Sequence, residues 1–490
     1  MRTDVVIVGA GPTGLTLACA LRSAGIAVRV LDQAPQATLT SRALGLQPRG
    51  VEVLDRLGAL DTVHARGLPI RRVTITVEGR DLASFPVGLS TRLGGPRALM
   101  ISQADIESAL RGRLTTLGTA VEWGRRVRGV SPSPGGATVH LEDGSDVDAS
   151  WVVGADGAHS VIRTSVGVGF PGVPIIERFL LADVRADLDL PRDGVQTWMR
   201  RNRMLAAFPL PGGDLWRLMA LAPDGLENPA EHQIVEFLTG LLADESGGTV
   251  RSAEWTSAFR IHRRLADTYR RGRVLLAGDA AHIHSPFGGQ GMNTGMGDAE
   301  NLAFKLALVI SGRADDRLLE TYAAERRPVA EDVLASTSGM TRIMLGHSHL
   351  ARLLRDRIVV PLLNRPRVQQ LLTDKSSQLQ VSYRRGPLGS GRGGLRPGCR
   401  PGDRVRDREC ETSDGNPVRL YQVLGPGWAI LGDGALADVA RARLGDVASL
   451  QGRKDTLLIR PDGHLAWRGT GRAALEAWLD AALGEQVRMR

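Results

Sequence analysis

Three stretches of the chain combine glycines with a carboxylate at fixed spacing. The first is Gly9-Ala10-Gly11-Pro12-Thr13-Gly14, with Asp32 and Gln33 starting 18 positions after the last glycine. The second is Trp151-Val152-Val153-Gly154-Ala155-Asp156-Gly157, with Ser160 and Arg163 beyond it. The third runs from Val274 to His282 with Asp279 in its turn, and continues into Pro286-Phe287-Gly288-Gly289-Gln290-Gly291-Met292-Asn293. In the first stretch, Gly9 allows a tight turn, Gly11 lets backbone approach a pyrophosphate, and Gly14 lets a helix pack closely on a strand. The N-terminus of the helix that follows offers free N–H groups and a positive dipole end to phosphates. A carboxylate at Asp32 suits a ribose diol. This chemistry is dinucleotide binding.

The flanking residues supply the elements that such chemistry needs. Residues 4–8 read as a buried strand, 15–24 as a helix, and 27–31 as a second strand ending at Asp32. The second and third stretches each read as a buried strand running into a turn. A helix through Asp298, Leu302 and Leu306 follows the third. A second G-x-G-x-x-G copy, Gly389-Ser390-Gly391-Arg392-Gly393-Gly394, follows Arg384-Arg385-Gly386-Pro387 and no buried strand. It reads as a flexible connection. The first motif alone does not separate NAD from FAD, and Gly-Asp turns are common in α/β proteins. Three such turns on separate strand ends carry more weight. His282 with His284 and His347 with His349 fall short of the three or four convergent ligands a metal site needs, so no metal is expected.

Together the three stretches resemble the group A aromatic hydroxylases, the para-hydroxybenzoate hydroxylase-like flavin monooxygenases. The resemblance implies that Asp279 bonds the ribityl chain of FAD. It implies that Pro286, Gly289, Gly291, Met292 and Asn293 pass close to the isoalloxazine, and that Asp156 belongs to a motif serving FAD and the nicotinamide cofactor. Ser41-Arg42-Ala43-Leu44-Gly45-Leu46 and Ile101-Ser102-Gln103-Ala104-Asp105-Ile106-Glu107 carry over Arg42 and Gln103 as FAD contacts. Val127 stands where backbone meets adenine. Two positions depart from the pattern: Asp32 where glutamate is more usual, and Gly297 where glutamine is common.

The implied fold is α/β: a Rossmann-like FAD-binding domain, an inserted mostly antiparallel β-sheet substrate domain, and a C-terminal thioredoxin-like domain. The divisions fall at 1–169, 170–270, 271–385 and 404–490. Alternating segments such as 179–184 and 216–221, with one helix near 230–243, mark the insert. Helices fill about 318–380, with a break at Pro361 and Pro366. A Gly-, Pro- and Arg-rich stretch precedes the last unit, which lacks the redox cysteines of thioredoxin. That unit narrows the resemblance to the aromatic polyketide hydroxylase, phenol hydroxylase and rifampicin monooxygenase subgroup.

Composition bounds the alternatives. The net charge of +9 is almost all arginine, since Lys305, Lys375 and Lys454 are the only lysines. With no lysine-rich tail or aromatic-basic strip, the excess reads as a solvated surface serving anionic cofactors and not nucleic acid. No apolar run approaches the ~18 residues that span a membrane. Cys19, Cys399 and Cys410 form no C-x-x-C pair, which fits a reducing cytoplasm.

The resemblance implies hydride transfer from NADPH or NADH to FAD, reaction with O2 to a C4a-hydroperoxide, and transfer of one oxygen atom to a phenolic or polyketide ring. No catalytic side chain is assigned, because the flavin carries the chemistry. Baeyer–Villiger oxygenation and a non-oxygenating FAD protein that sequesters an intermediate stay open, as do monomer against homodimer. Arg200, Arg201 and Arg203 lie near the presumed pocket sheet and read either as contacts for an anionic substrate or as a solvated charged face.

Overall fold

The structure is a computed structural model describing residues 3–39, 43–86, 94–200, 203–223, 225–226, 229–284, 289–345, 353–389, 398–425, 427–452 and 455–484. Arg42, Pro286, Arg201 and most of the second glycine copy lie outside the described residues.

Val5, Val6, Ile7 and Val8 have no polar side and suit a strand covered on both faces. They form β1 (Thr3–Val8), and the first three are fully buried. The chain turns at Gly9, whose φ of 105° favours glycine. It then enters α1 (Pro12–Ser23), with proline in the first turn, where its missing N–H costs nothing. β2 (Val28–Leu31) and α2 (Pro48–Leu57) follow, then β3 (Asp146–Gly154) and β4 (Val274–Leu276). These strands share an eight-stranded sheet in which β4, β3, β1, β2 and Val121–Glu122 run side by side and parallel. The hairpin Val127–Ser133/Gly136–Leu141 pairs antiparallel with β3. Val8 sits beside Gly154, and Gly154 beside Leu276. The three glycine-rich turns therefore leave three adjacent strands at one sheet edge, the carboxyl edge where open α/β sheets bind ligands.

The chain between β3 and β4 builds a second eight-stranded sheet. Its order is His282–Ile283, Thr249–Leu265, Gly172–Asp187, Leu215–Leu221, Arg203–Pro209, Gly194–Arg200, Arg72–Val77, Arg80–Pro86. The pairs are antiparallel except Gly194–Arg200 with Arg72–Val77. The sheet thus recruits 72–86 from outside the 170–270 segment. The alternation of Val73, Ile75 and Val77 marks a strand but cannot say which sheet takes it. One face carries Leu180, Ala182, Val184, Trp216 and Leu218 and is covered by α3 (Glu231–Ser246). By the two-residue period the opposite face carries Phe179, Asp183, Arg217, Met219 and Phe208. Part of that face packs on Val360 and Leu363, and part on Leu44 and Met100 of the cofactor-binding unit.

α4 (Gly291–Ile310) is buried nearly all round and packs on α1. α5 (Glu320–Leu345) and α6 (Pro366–Ser376) follow. The C-terminal unit holds a four-stranded sheet in the order Val447–Leu450, Trp428–Leu431, Thr456–Ile459, Leu465–Gly469. The first pair is parallel and the other two antiparallel. Its core continues into Phe304 and Leu308 of α4, and Trp428 meets the Phe304 ring edge-on at 5.5 Å.

A buried ionic network reinforces this junction. Arg56 binds Glu300 at 2.6–2.9 Å, and Arg49 reaches the Asp462 carbonyl at 2.5 Å. Arg460 holds Glu325 at 2.9 Å through both terminal nitrogens and also Asp462. Lys305 and Asn301 complete the shell around Glu325.

Candidate active site at three strand ends

The glycines divide by what surrounds them. A side-chain carbon on Gly9 would sit 2.3 Å from the Ala155 carbonyl oxygen, so the first turn rests directly on the second. One on Gly14 would sit 2.0 Å from the Gly9 oxygen. At Gly11 it would meet no described atom within 4 Å. Gly9 and Gly14 therefore permit packing, whereas Gly11 borders open space at the start of α1. No described side chain caps that helix start, and its N–H groups point into the opening. Thr13 is the contact with the third turn: carbons on Gly278 and Gly295 would lie 2.5 and 2.3 Å from its Oγ1.

Asp32 is tied to the first turn. Its Oδ2 accepts the Ala10 N–H at 2.7 Å and its Oδ1 the Ala34 N–H at 2.8 Å, with lone pairs to spare. Gln33 beside it is exposed. The Asp32 carbonyl takes the Arg125 N–H at 2.8 Å, bringing the strand that starts at Val127 alongside. Gln103 donates to Glu107 at 2.8 Å. Burial raises the Glu107 carboxyl above its ordinary range, and the Asp32 charge adds to that. Asp32, Gln103 and Glu107 thus share one neighbourhood.

Asp156 faces its own turn. It accepts Ser160 Oγ at 2.6 Å and the Ile162 N–H at 3.1 Å, while Ser160 caps the Arg163 N–H. Arg163 spans the second and third turns, donating to the Ala158 and Ala280 carbonyls at 3.0 and 2.9 Å. Asp279 differs from these residues. It is exposed, yet the protein around it desolvates its carboxyl enough to push it above the ordinary range. It therefore offers the third turn an accessible carboxylate. Among the described residues no hydrogen bond satisfies it.

Past the third turn, Gly289 adopts a φ of 59° and Gly291 lies against His284. Met292 is half-buried. Asn293 is fully buried: its Oδ1 accepts the Gln47 N–H at 2.9 Å, and its Nδ2 donates to the Gly289 and Gly45 carbonyls at 2.9 and 3.3 Å. Its side chain fastens loop 43–47 to the start of α4 and points at protein. No described side chain caps α4 either.

Sequence reasoning missed what underlies the third turn. Asp298 accepts the Gly278 N–H at 3.1 Å, His282 Nε2 at 2.7 Å and Arg326 Nε at 2.7 Å. Burial alone would raise its carboxyl, but His282 and Arg326 hold it below the usual range. Gly297 follows from this packing, because a carbon there would lie 3.0 Å from the Arg326 guanidinium. Also missed was the Asp183–Arg217 ion pair, 2.6 Å, on the sheet face away from α3. Arg200 and Arg203 instead pair with Glu245 and Asp244 of α3.

The residues fit a flavin dinucleotide. There are two uncapped helix starts, suited to a pyrophosphate and to a ring that gains negative charge. Between them stands an accessible carboxylate suited to a polyol chain.

Comparison with known proteins agrees. Residues 2–337 match the FAD binding domain family. The chain is 36% identical to 6-methylpretetramide 4-monooxygenase of Streptomyces rimosus, over 98% of this chain and 93% of that protein. It is 35% identical to rifampicin monooxygenase of Streptomyces venezuelae, over 98% and 99%. The solved anhydrotetracycline hydroxylase of Streptomyces rimosus superposes with a TM-score of 0.81 at 33% identity, over 99% and 100%. The chain therefore belongs to the FAD binding domain family and is a flavin-dependent monooxygenase with FAD as its cofactor and NAD(P)H as its co-substrate.

Proposed function

We propose that the enzyme hydroxylates a ring of an aromatic polyketide held between the Phe208 part of the second sheet's outer face and the 43–47 and 289–293 loops. One observation carries this reading: three strand-end turns meet at one sheet edge, and the apolar face of the second sheet reaches that edge through Leu44 and Phe208. The named relatives act on 6-methylpretetramide, rifampicin and anhydrotetracycline, which supports a polyketide as the substrate class.

Each turn has a task in this reading. Gly9, Gly11, Pro12, Thr13 and Gly14 hold the pyrophosphate at the start of α1. Asp32 and Gln33 take the ribose, and the backbone at Val127 takes the adenine. Gln103 and Asp279 hold the ribityl chain. Gly289, Gly291 and Met292 border the ring, and the start of α4 favours negative charge on its reduced form. Asn293 and Asp156 shape their own turns. Arg42 and Pro286 are assigned to FAD by resemblance. Bound FAD supplies hydride acceptance and oxygen activation. The protein supplies position, a setting that limits water, and an apolar wall broken by the Asp183–Arg217 pair.

The domain reading is 1–169 and 271–385 for FAD, 170–270 with 72–86 for substrate, and 404–490 as a thioredoxin-like domain. The strand order of the last unit, second-first-third-fourth with the third reversed, supports that fold.

The test is NAD(P)H oxidation by purified enzyme against rifamycins, aromatic polyketides and simple phenols under labelled O2. The expected result is substrate-stimulated oxidation and a product one labelled oxygen heavier on a ring carbon. Oxygen inserted beside a ketone would replace hydroxylation with the Baeyer–Villiger outcome. No oxygenated product from any compound would overturn the reading.

A further inference from the structure

The segment joining α6 to the C-terminal unit passes between the two helices that begin at the loops bordering the ring. The carbonyl of buried Ser377 accepts the Arg49 N–H at 3.1 Å, in the first turn of α2. The next residue, Gln378, is also buried and has a φ of 58°. Its Nε2 donates to Thr294 Oγ1 at 2.9 Å and, at the limit of 3.5 Å, to the Gln290 carbonyl. Both acceptors lie in the opening turn of α4. Thr294 also donates through its N–H and its Oγ1 to that carbonyl, each at 2.8 Å. Further along, Tyr383 Oη accepts from Arg326, which also holds Asp298 and the Thr294 carbonyl.

A left-handed backbone is costly for any residue with a Cβ and free for glycine. Among the described residues only one other non-glycine residue has a positive φ, Glu78 at 48°. Glu78 is explained locally: with Gly79 it makes the two-residue turn between Val77 and Arg80, which requires positive φ. Gln378 sits in no such hairpin. Strain kept at a buried position points to what the side chain does there.

We propose that Gln378 is a positioning residue for the flavin: its amide fixes the Gly289–Gln290 turn and the start of α4, and so the height of the ring loop above the third strand-end turn. This inference rests on the assignment of the 289–293 segment to the flavin ring. Gln378→Gly removes the amide and relieves the backbone. Gln378→Glu keeps the shape and removes the donor.

The experiment measures three quantities on each purified variant: FAD dissociation constant, visible absorbance and circular dichroism of the bound flavin, and thermal midpoint. Gln378→Gly is expected to keep or raise the midpoint, weaken FAD about five- to tenfold, and shift the flavin bands, because one buried hydrogen bond is lost at the ring loop. Gln378→Glu is expected to shift the bands in the same way. Gln378→Gly with unchanged affinity and bands, whatever its midpoint, would overturn the proposal. Met292→Ala separates the two readings. If it shifts the bands and Gln378→Gly does not, the Gln378 role alone falls. If neither does, the ring assignment falls with it.

Discussion

The start and the middle of α4 solve opposite problems. Its first turn joins glycines to an uncapped helix start, with Asp279 exposed nearby and unsatisfied among the described residues. Ten residues on, Glu300, Asn301 and Lys305 are as polar as any group in the molecule, yet they are buried and taken up by Arg56, Glu325 and each other. The first region has few charges and spare hydrogen-bonding capacity. The second has many charges and almost none to spare. A ligand site is therefore marked by capacity left over, not by charge density. Buried ion pairs of the second kind hold parts of a chain in fixed relation, and losing one partner strands the other.

That contrast can be broken or sharpened. The largest effect should come from Arg460→Met, which leaves Glu325 and Asp462 buried without their main partner. Urea denaturation should show a loss of about 3–5 kcal/mol. A loss under about 1 kcal/mol would mean the network is not consumed internally. The second effect is pH-dependent. Burial would raise the Glu325 carboxyl, but Arg460 and Lys305 bring it from 4.5 down to about 2. A depressed carboxylate adds stability above its unfolded value and loses it as pH falls through its folded value. Stability should therefore fall between about pH 4.5 and pH 2, and Arg460→Met should flatten that slope.

Gly297→Ala should cost about 1–2 kcal/mol, because its methyl crowds the end of the Arg326 guanidinium that donates to the Thr294 carbonyl in a fully packed layer. A neutral result would show that the layer under the third turn is loose. The smallest effect belongs to Arg203→Ala. Its partner Asp244 and the guanidinium are both exposed, so stability should change by less than about 0.5 kcal/mol and turnover should not change. A large rise in KM would restore Arg203 to the substrate pocket.

Local features made the cofactor region legible. The glycine spacing, the apolar strands before each turn and the acid after β2 all act within a few residues, so Gly9–Gly14, Asp32 and Asp279 could be read without knowing the topology. Nonlocal features could not be read this way. Arg49 stands next to a segment resembling an FAD contact, but its guanidinium reaches Asp462, 413 positions away. The strand at 72–77 has its partner at 194–200, a pairing that no local pattern names. Asn293 belongs to a motif that resembles a ring-bordering one, and only the fold shows its amide bound to Gly45, Gln47 and Gly289. Gln378 carries no sequence signal at all, since a left-handed glutamine looks like any other glutamine.

The central claim is that the meeting point of the three turns holds FAD, with Asp279 in the third turn. The direct measurement is titration of flavin-free wild-type protein and Asp279→Ala with FAD, following flavin fluorescence, with thermal midpoints taken before FAD is added. Hydrogen bonds to a charged group contribute about 1.5–3 kcal/mol, so affinity should fall about ten- to 150-fold. The flavin-free midpoint should not fall, because no described protein group depends on that carboxylate. Equal affinity in the two proteins would contradict the account.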